Sequence, residues 1–115
     1  MSLKAHRRHT PKRQTHAPIF AALGDGARLR IVSRLCDGGP MSITRLTAGS
    51  RVTRQAVSKH LRVLEDAGLV RSARRGRERI WRLEKKRLHE ARMFLESVSL
   101  QWDDALAKLR AFVEE

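Results

Sequence analysis

The sequence predicts a mainly α-helical domain with one small β-hairpin and a long C-terminal helix. Three observations carry this prediction. Apolar residues recur at helical spacings of three and four from about Pro18 onward. Residues 69–83 break that period, alternating apolar with basic side chains around a stretch that contains Gly76. From Lys85 to about Val113 there is neither proline nor glycine, and the helical period is kept. A chain of 115 residues is a single domain of common size, and its 41% hydrophobic content supports a modest core.

Residues 1–17 hold five Lys/Arg, three His and no acid, with almost nothing apolar to anchor them. They read as a disordered basic arm ahead of a domain spanning 18–115. Pro18 suits a first helical position, with Ile19, Phe20 and Leu23 as the first core anchors. Asp25 caps the next helix, whose Leu29, Ile31, Val32 and Leu35 form an apolar stripe, and DGGP at 37–40 stops it. Ser42 caps a short helix over roughly 43–48. Gly49-Ser50 makes a tight connection, and Thr53 caps a helix that ends at Gly68. The hairpin strands are expected at 69–73 and 79–83, around the tip Arg74-Arg75-Gly76-Arg77-Glu78. In the last helix Leu88, Ala91, Leu95, Val98, Trp102, Ala105, Leu109 and Phe112 approach a heptad seam.

Charge is the second layer of information. With 25 Lys+Arg against 12 Asp+Glu the chain carries +13, which predicts attraction to a polyanion. The excess is uneven: residues 1–87 hold 22 basic and 6 acidic side chains, whereas 88–115 hold 3 and 6. The two parts therefore face different partners. No apolar run approaches the ~20 residues of a transmembrane helix, and the N-terminus lacks the apolar core of a secretory signal. The one cysteine, Cys36, allows no intrachain disulfide. A cytoplasmic protein without a membrane partner is expected.

Two short helices joined by about four residues, the second polar and basic on its outer face, describe a helix-turn-helix. Val57, Leu61 and Leu64 anchor that second helix, and Arg54, Gln55, Ser58, Lys59 and Arg62 are left pointing away from the protein. Gln55 can bond two atoms of an adenine edge, Arg and Lys suit guanine, and Ser58 can bond several bases. Arg62, a turn further on, and Arg51, ahead of the helix, suit phosphates. Thr53 stands at the helix start, where backbone amides add an anion site. Arg74, Arg75, Arg77 and Arg79 cluster at the hairpin tip as a wing that enters a minor groove or straddles phosphates. His60 is a candidate for base contact, although its neighbour Leu61 makes a core-edge histidine the alternative.

Three runs of the sequence resemble a known family. ALGDGARLRIVSRL (22–35), ITRLTAGSRVTRQAVSKHLRVLEDAGLV (43–70) and RRGRERIWRL (74–83) are similar to the ArsR-type winged helix-turn-helix repressors, over roughly residues 18–113. The resemblance implies a homodimer, joined through its first and last helices, that binds operator DNA and represses transcription. By motif match, Gln55, Ser58, Lys59 and His60 take recognition-helix positions and Arg74 to Arg77 the wing tip. The C-terminal FLESVSLQWDDALAKLRAFVEE is similar to a non-metal-sensing branch. Metal-sensing members carry a pattern like ELCVCDL in the short helix. Here Ser42 and Thr44 replace both thiolates and Arg45 replaces the acid. The acid and two histidines of a second metal pattern reduce to His89 alone. No metal or cofactor is expected.

The remaining features are weighed on their chemistry. Cys36 reads as inert and half-buried, because free cysteine behaves as a small hydrophobe. His6, His9 and His16 belong to the cationic arm. The seam of the last helix, with Ile19, Phe20 and Leu23 of the first, is the expected dimer face. Each such side chain gains ~1.5–3 kcal/mol on burial, and a core this small cannot hide them all. The rival reading is a nonspecific nucleic-acid-binding or RNA-binding module. An RNA duplex hides its bases in a deep groove, and aromatics at 4% leave no stacking platform, so duplex DNA is favoured. Enzyme activity has no support: no nucleophile set, phosphate loop or metal cluster is visible. An effector ligand or protein partner is left open.

Overall fold

A computed structural model describes residues 12–114. Among the described residues, five helices and a three-stranded antiparallel sheet follow one another as α1 (Lys12–Leu23), α2 (Gly26–Gly38), β1 (Met41–Ser42), α3 (Ile43–Thr47), α4 (Arg54–Asp66), β2 (Val70–Arg75), β3 (Glu78–Leu83) and α5 (Lys85–Glu114). Of the expected arm, residues 1–11 lie outside the described residues.

The first helix starts at Lys12 and not near Pro18, which sits inside it. A proline in a helix interior removes one backbone hydrogen bond, so something must offset the loss. Tertiary contact does so here. The His16 ring stacks on Phe94 of α5 at 5.0 Å between centroids, and Phe20 meets the same ring at 5.7 Å.

Helix α2 begins where Asp25 accepts a hydrogen bond from the Arg28 backbone N–H at 3.0 Å. Ile31 and Leu35, one turn apart, are buried, and Val32 packs beside them. Leu29, expected in the same stripe, is 50% exposed. Two residues from Ile31, it falls on the far side of the helix. Gly39, at φ +74, donates to the Leu35 carbonyl and ends the helix. Cys36 near this end is exposed, not half-buried.

A strand that periodicity could not show comes next. Met41 and Ser42 pair with Trp81 and Ile80, so the sheet runs β1-β3-β2. Ser42 also caps α3 by accepting from the Arg45 N–H at 3.2 Å. Two residues are too few to display an alternation, and only the nearby hairpin edge makes them a strand.

Helix α4 is bounded by two local devices. Thr53 accepts from the Ala56 N–H at 3.1 Å, and at the far end Gly68, at φ +79, closes the turn. The Gly68 and Leu69 N–H groups donate to the Glu65 and Leu64 carbonyls, both at 2.9 Å, which is a Schellman closure. Gly76, at φ +65, opens the two-residue turn between β2 and β3. Both strands extend two residues or one nearer the tip than expected, since Arg75 pairs with Glu78.

The core gathers Ile19, Ala22, Ile31, Leu35, Met41, Leu46, Val57, Leu61, Leu64, Leu69 and Val70, with Trp81 and Leu83 of β3 packed against it. Of α5, only Ala91 is buried, with Leu88 packed against the core. From Leu95 onward every described residue is exposed, a projecting rod of about 30 Å at 1.5 Å per residue.

Candidate nucleic-acid interface

The underside of α4 is fixed by Val57, Leu61 and Leu64, all essentially without solvent exposure. Gln55, Ser58, Lys59 and Arg62 consequently stand exposed on the opposite side. Arg54 is exposed too, but its guanidinium donates to Thr44 Oγ1 at 3.0 Å and braces α4 against α3. Thr53 is exposed, with its hydroxyl oxygen engaged in the cap. Arg51 lies exposed in the connection between the two helices.

His60 departs from this group. It is half-buried, and its Nδ1 sits 3.4 Å from the Arg28 guanidinium of α2. Arg28 in turn donates to the Ala22 carbonyl, so the imidazole is part of the joint between α4 and the body of the domain. The ring thus turns toward α2, against the Arg28 side chain and not a backbone group.

The wing places Arg74, Arg75, Arg77 and Arg79 in solvent. Register adds what composition could not. Arg74 lies directly across from Arg79. Like charges facing each other across two strands destabilise a sheet unless an anion lies between them. Alternation puts Ser72, Arg74, Arg79 and Trp81 on one face of the hairpin. Arg79 donates to Ser72 Oγ at 2.9 Å. Ser58, Arg62, Glu65, Ser72, Arg79 and Trp81 line a cleft of about 270 Å³ between α4 and the wing, so helix and wing form one continuous surface. Ser72 and Trp81 were not singled out from the sequence. Strand parity counted from Arg79 would have found both.

Two acids stand within this surface, Glu65 in the cleft and Glu78 at the wing tip across from Arg75. Glu65 and Asp66 close the C-terminal end of α4, and no acidic side chain stands in its first turn. Arg71 pairs with Glu84 at 2.7 Å, whereas none of the tip arginines is in an ion pair among the described residues. Asp25, behind α4, is held below the usual carboxylate range, first by the Arg28 backbone N–H and then by nearby cationic groups. Glu90 is lowered chiefly by its hydrogen bond from Arg87 at 2.8 Å. Among the described residues no three His, Cys, Asp or Glu side chains come together as metal ligands, and no helix is long and apolar enough to cross a membrane.

The expected dimer residues divide in two. Ile19 is fully buried in this chain's own core, so its side chain anchors the fold and offers nothing to a partner. Phe20 and Leu23 are half-buried beside it. Leu95, Val98, Trp102, Ala105, Leu109 and Phe112 are exposed along α5, Trp102 by 65% and Phe112 by 76%.

Comparison with known proteins agrees with this geometry. Residues 23–73 match the helix-turn-helix domain family. The chain is 44% identical over 68 residues to YuzN, an HTH-type transcriptional regulator of Bacillus subtilis, covering 54% of this chain and 74% of that protein. It is 39% identical over 57 residues to the arsenical resistance operon repressor of the same bacterium, covering 50% of this chain and 54% of the repressor. Among solved structures, an ArsR-like transcriptional regulator from Rhodococcus superposes with a TM-score of 0.76 at 34% identity, over 87% of this chain and 93% of that one. A homodimeric winged helix-turn-helix DNA-binding domain from Mycobacterium bovis superposes with a TM-score of 0.61 at 26% identity, over 81% and 82% of the two chains.

Proposed function

This chain belongs to the ArsR-type winged helix-turn-helix transcriptional regulators, and from that premise we propose that it is a homodimeric, sequence-specific repressor. One observation carries the reading: the polar face of α4 and the arginine face of the wing meet along a single cleft, in which Glu65 is the one acid of the lining, and the first turn of α4 holds none. Such a surface fits a duplex, with α4 in the major groove and the wing over the adjoining backbone.

The roles divide by position. Gln55, Ser58 and Lys59 read base edges, whereas Arg51, Arg62 and the wing arginines Arg74, Arg75, Arg77 and Arg79 hold phosphates. Thr53 presents the first amides of α4 to a phosphate, and Arg54 keeps the helix in place through Thr44. Phosphate contacts supply most of the affinity, which falls steeply with salt.

The second copy covers the apolar side of α5. The homodimeric Mycobacterium bovis domain supports that occupant. Two-fold symmetry then sets two α4 helices on one face of the duplex, about one helical turn or a small multiple apart, ~10–10.5 bp per turn. An operator that overlaps a promoter gives repression. A signal that favours a different spacing of the two helices gives release.

Selection of bound duplexes from a random pool tests the proposal. A palindromic sequence with half-sites at that spacing is the expected result. Enrichment of no sequence, or equal affinity for single-stranded RNA, would leave only a nonspecific polyanion binder.

A further inference from the structure

A second cleft, of about 550 Å³, opens on the flank of α4 away from the wing, between that helix and α2. Its back wall is the helix-turn-helix connection, residues 48–52. The floor is apolar, made by Ile31, Leu46 and Val57, each buried in the core. Three arginines sit above it, Arg30, Arg34 and Arg51, with His60 beside them and no acid in the lining. Arg34 is committed to the Leu46 and Ala48 carbonyls at 2.8 and 3.3 Å. Among the described residues the side chains of Arg30 and Arg51 make no hydrogen bond or ion pair.

We infer that this cleft is an effector site for a small amphipathic anion, a ring-sized apolar body bearing one carboxylate, and that its occupancy opposes DNA binding. The volume lies within the ~300–1,000 Å³ of small-molecule sites. An apolar floor gains nothing from inorganic phosphate but does gain from a hydrocarbon body, while a guanidinium pairs a carboxylate through two parallel hydrogen bonds. Antagonism has two physical sources. Arg51 is the guanidinium assigned above to a DNA phosphate, so a carboxylate competes for it. The ligand also sits in the joint, beside His60, that sets the angle of α4 against α2. The binding half of the inference stands without the DNA reading; the antagonism rests on it.

Naphthoate, neutral naphthalenemethanol and inorganic phosphate are the probes, followed on the isotope-labelled full chain by amide spectra. Naphthoate should shift amides of residues 27–34 and 48–60 saturably, and about tenfold more tightly than the alcohol. Arg30→Gln should weaken naphthoate about fivefold or more while leaving duplex affinity within about twofold, because one charge-assisted pair is lost from the ligand alone. Ala27→Leu, which fills the cleft wall and keeps every charge, should weaken naphthoate as well. Equal binding of the alcohol, equal binding of phosphate, or shifts confined to the α5 stripe would overturn the site. Naphthoate at saturation should weaken duplex binding in a mobility-shift titration, and unchanged binding would overturn the antagonism. If the ligand-free chain bound no duplex at all, the DNA reading and the antagonism would fail together, and the spectra would still decide the site.

Discussion

At the scale of single residues, specificity and affinity are carried by different side chains of one helix. Gln55 and Ser58 stand on the outward side of α4, near its N-terminal end, whereas Arg62 shares a cleft with the wing. Gln55→Ala or Ser58→Ala should cost ~1–3 kcal/mol of discrimination between the selected operator and a base-substituted one. Arg62→Ala should weaken all duplexes alike and lower the salt slope by about one. Equal losses on specific and random DNA for all three variants, in competition binding, would refute the division. Two carboxylates give a pH signature of folding. Asp25 and Glu90 both have lowered folded-state pKa values, so their contributions are complete above the unfolded carboxylate range, about pH 4 to 4.5. They are lost as pH falls through the lower folded values. Asp25→Asn with Glu90→Gln should therefore flatten the stability curve below that range. A double variant with the wild-type slope in thermal denaturation would exclude both groups.

Among the elements, the junction of α4 with α5 holds the reading helix to the projecting one. Gly68 at φ +79 closes α4, and the Arg87 side chain lies over it, its Nε donating to the Ala67 carbonyl at 3.0 Å. A side chain at Gly68 meets both obstacles, because its Cβ would stand 3.3 Å from Arg87 Nε. Gly68→Ala should cost at least the ~1–2 kcal/mol of a left-handed L-residue. The loss should appear as a lower denaturation midpoint with DNA contacts untouched, and an unchanged midpoint would contradict the strain argument. The α4 boundaries were legible in sequence because Thr53 and Gly68 are local devices. Strand β1 and the N-terminal extension of α1 were not, because each exists through a distant partner: β3 for one, Phe94 for the other.

For the whole molecule, the decisive feature is what the single chain leaves uncovered. Leu95, Val98, Trp102, Leu109 and Phe112 are exposed on a helix that has left its own core behind. Burying Trp102 against a second copy gains ~1.5–3 kcal/mol per subunit, and symmetry counts it twice. Trp102→Glu should raise the dimer dissociation constant by about 100-fold or more, each factor of ten being ~1.4 kcal/mol. Sedimentation should then give the monomer mass near micromolar concentrations. An unchanged mass would place the dimer contact elsewhere. The charge asymmetry read at the outset falls along this same line, with the cations on α4 and the wing and the weakly acidic stretch on α5.

From sequence alone came the helical period, the caps, the hairpin glycine and the outward basic face of α4. Each is written in neighbours a few residues apart, where covalent geometry and amphipathic spacing leave little choice. Tertiary structure alone decided that His60 turns inward to Arg28, that Ile19 is consumed by the core, and that Ser72 and Trp81 join Arg62 in one cleft. Those outcomes depend on which surfaces meet across long sequence separations, and no local spacing encodes that.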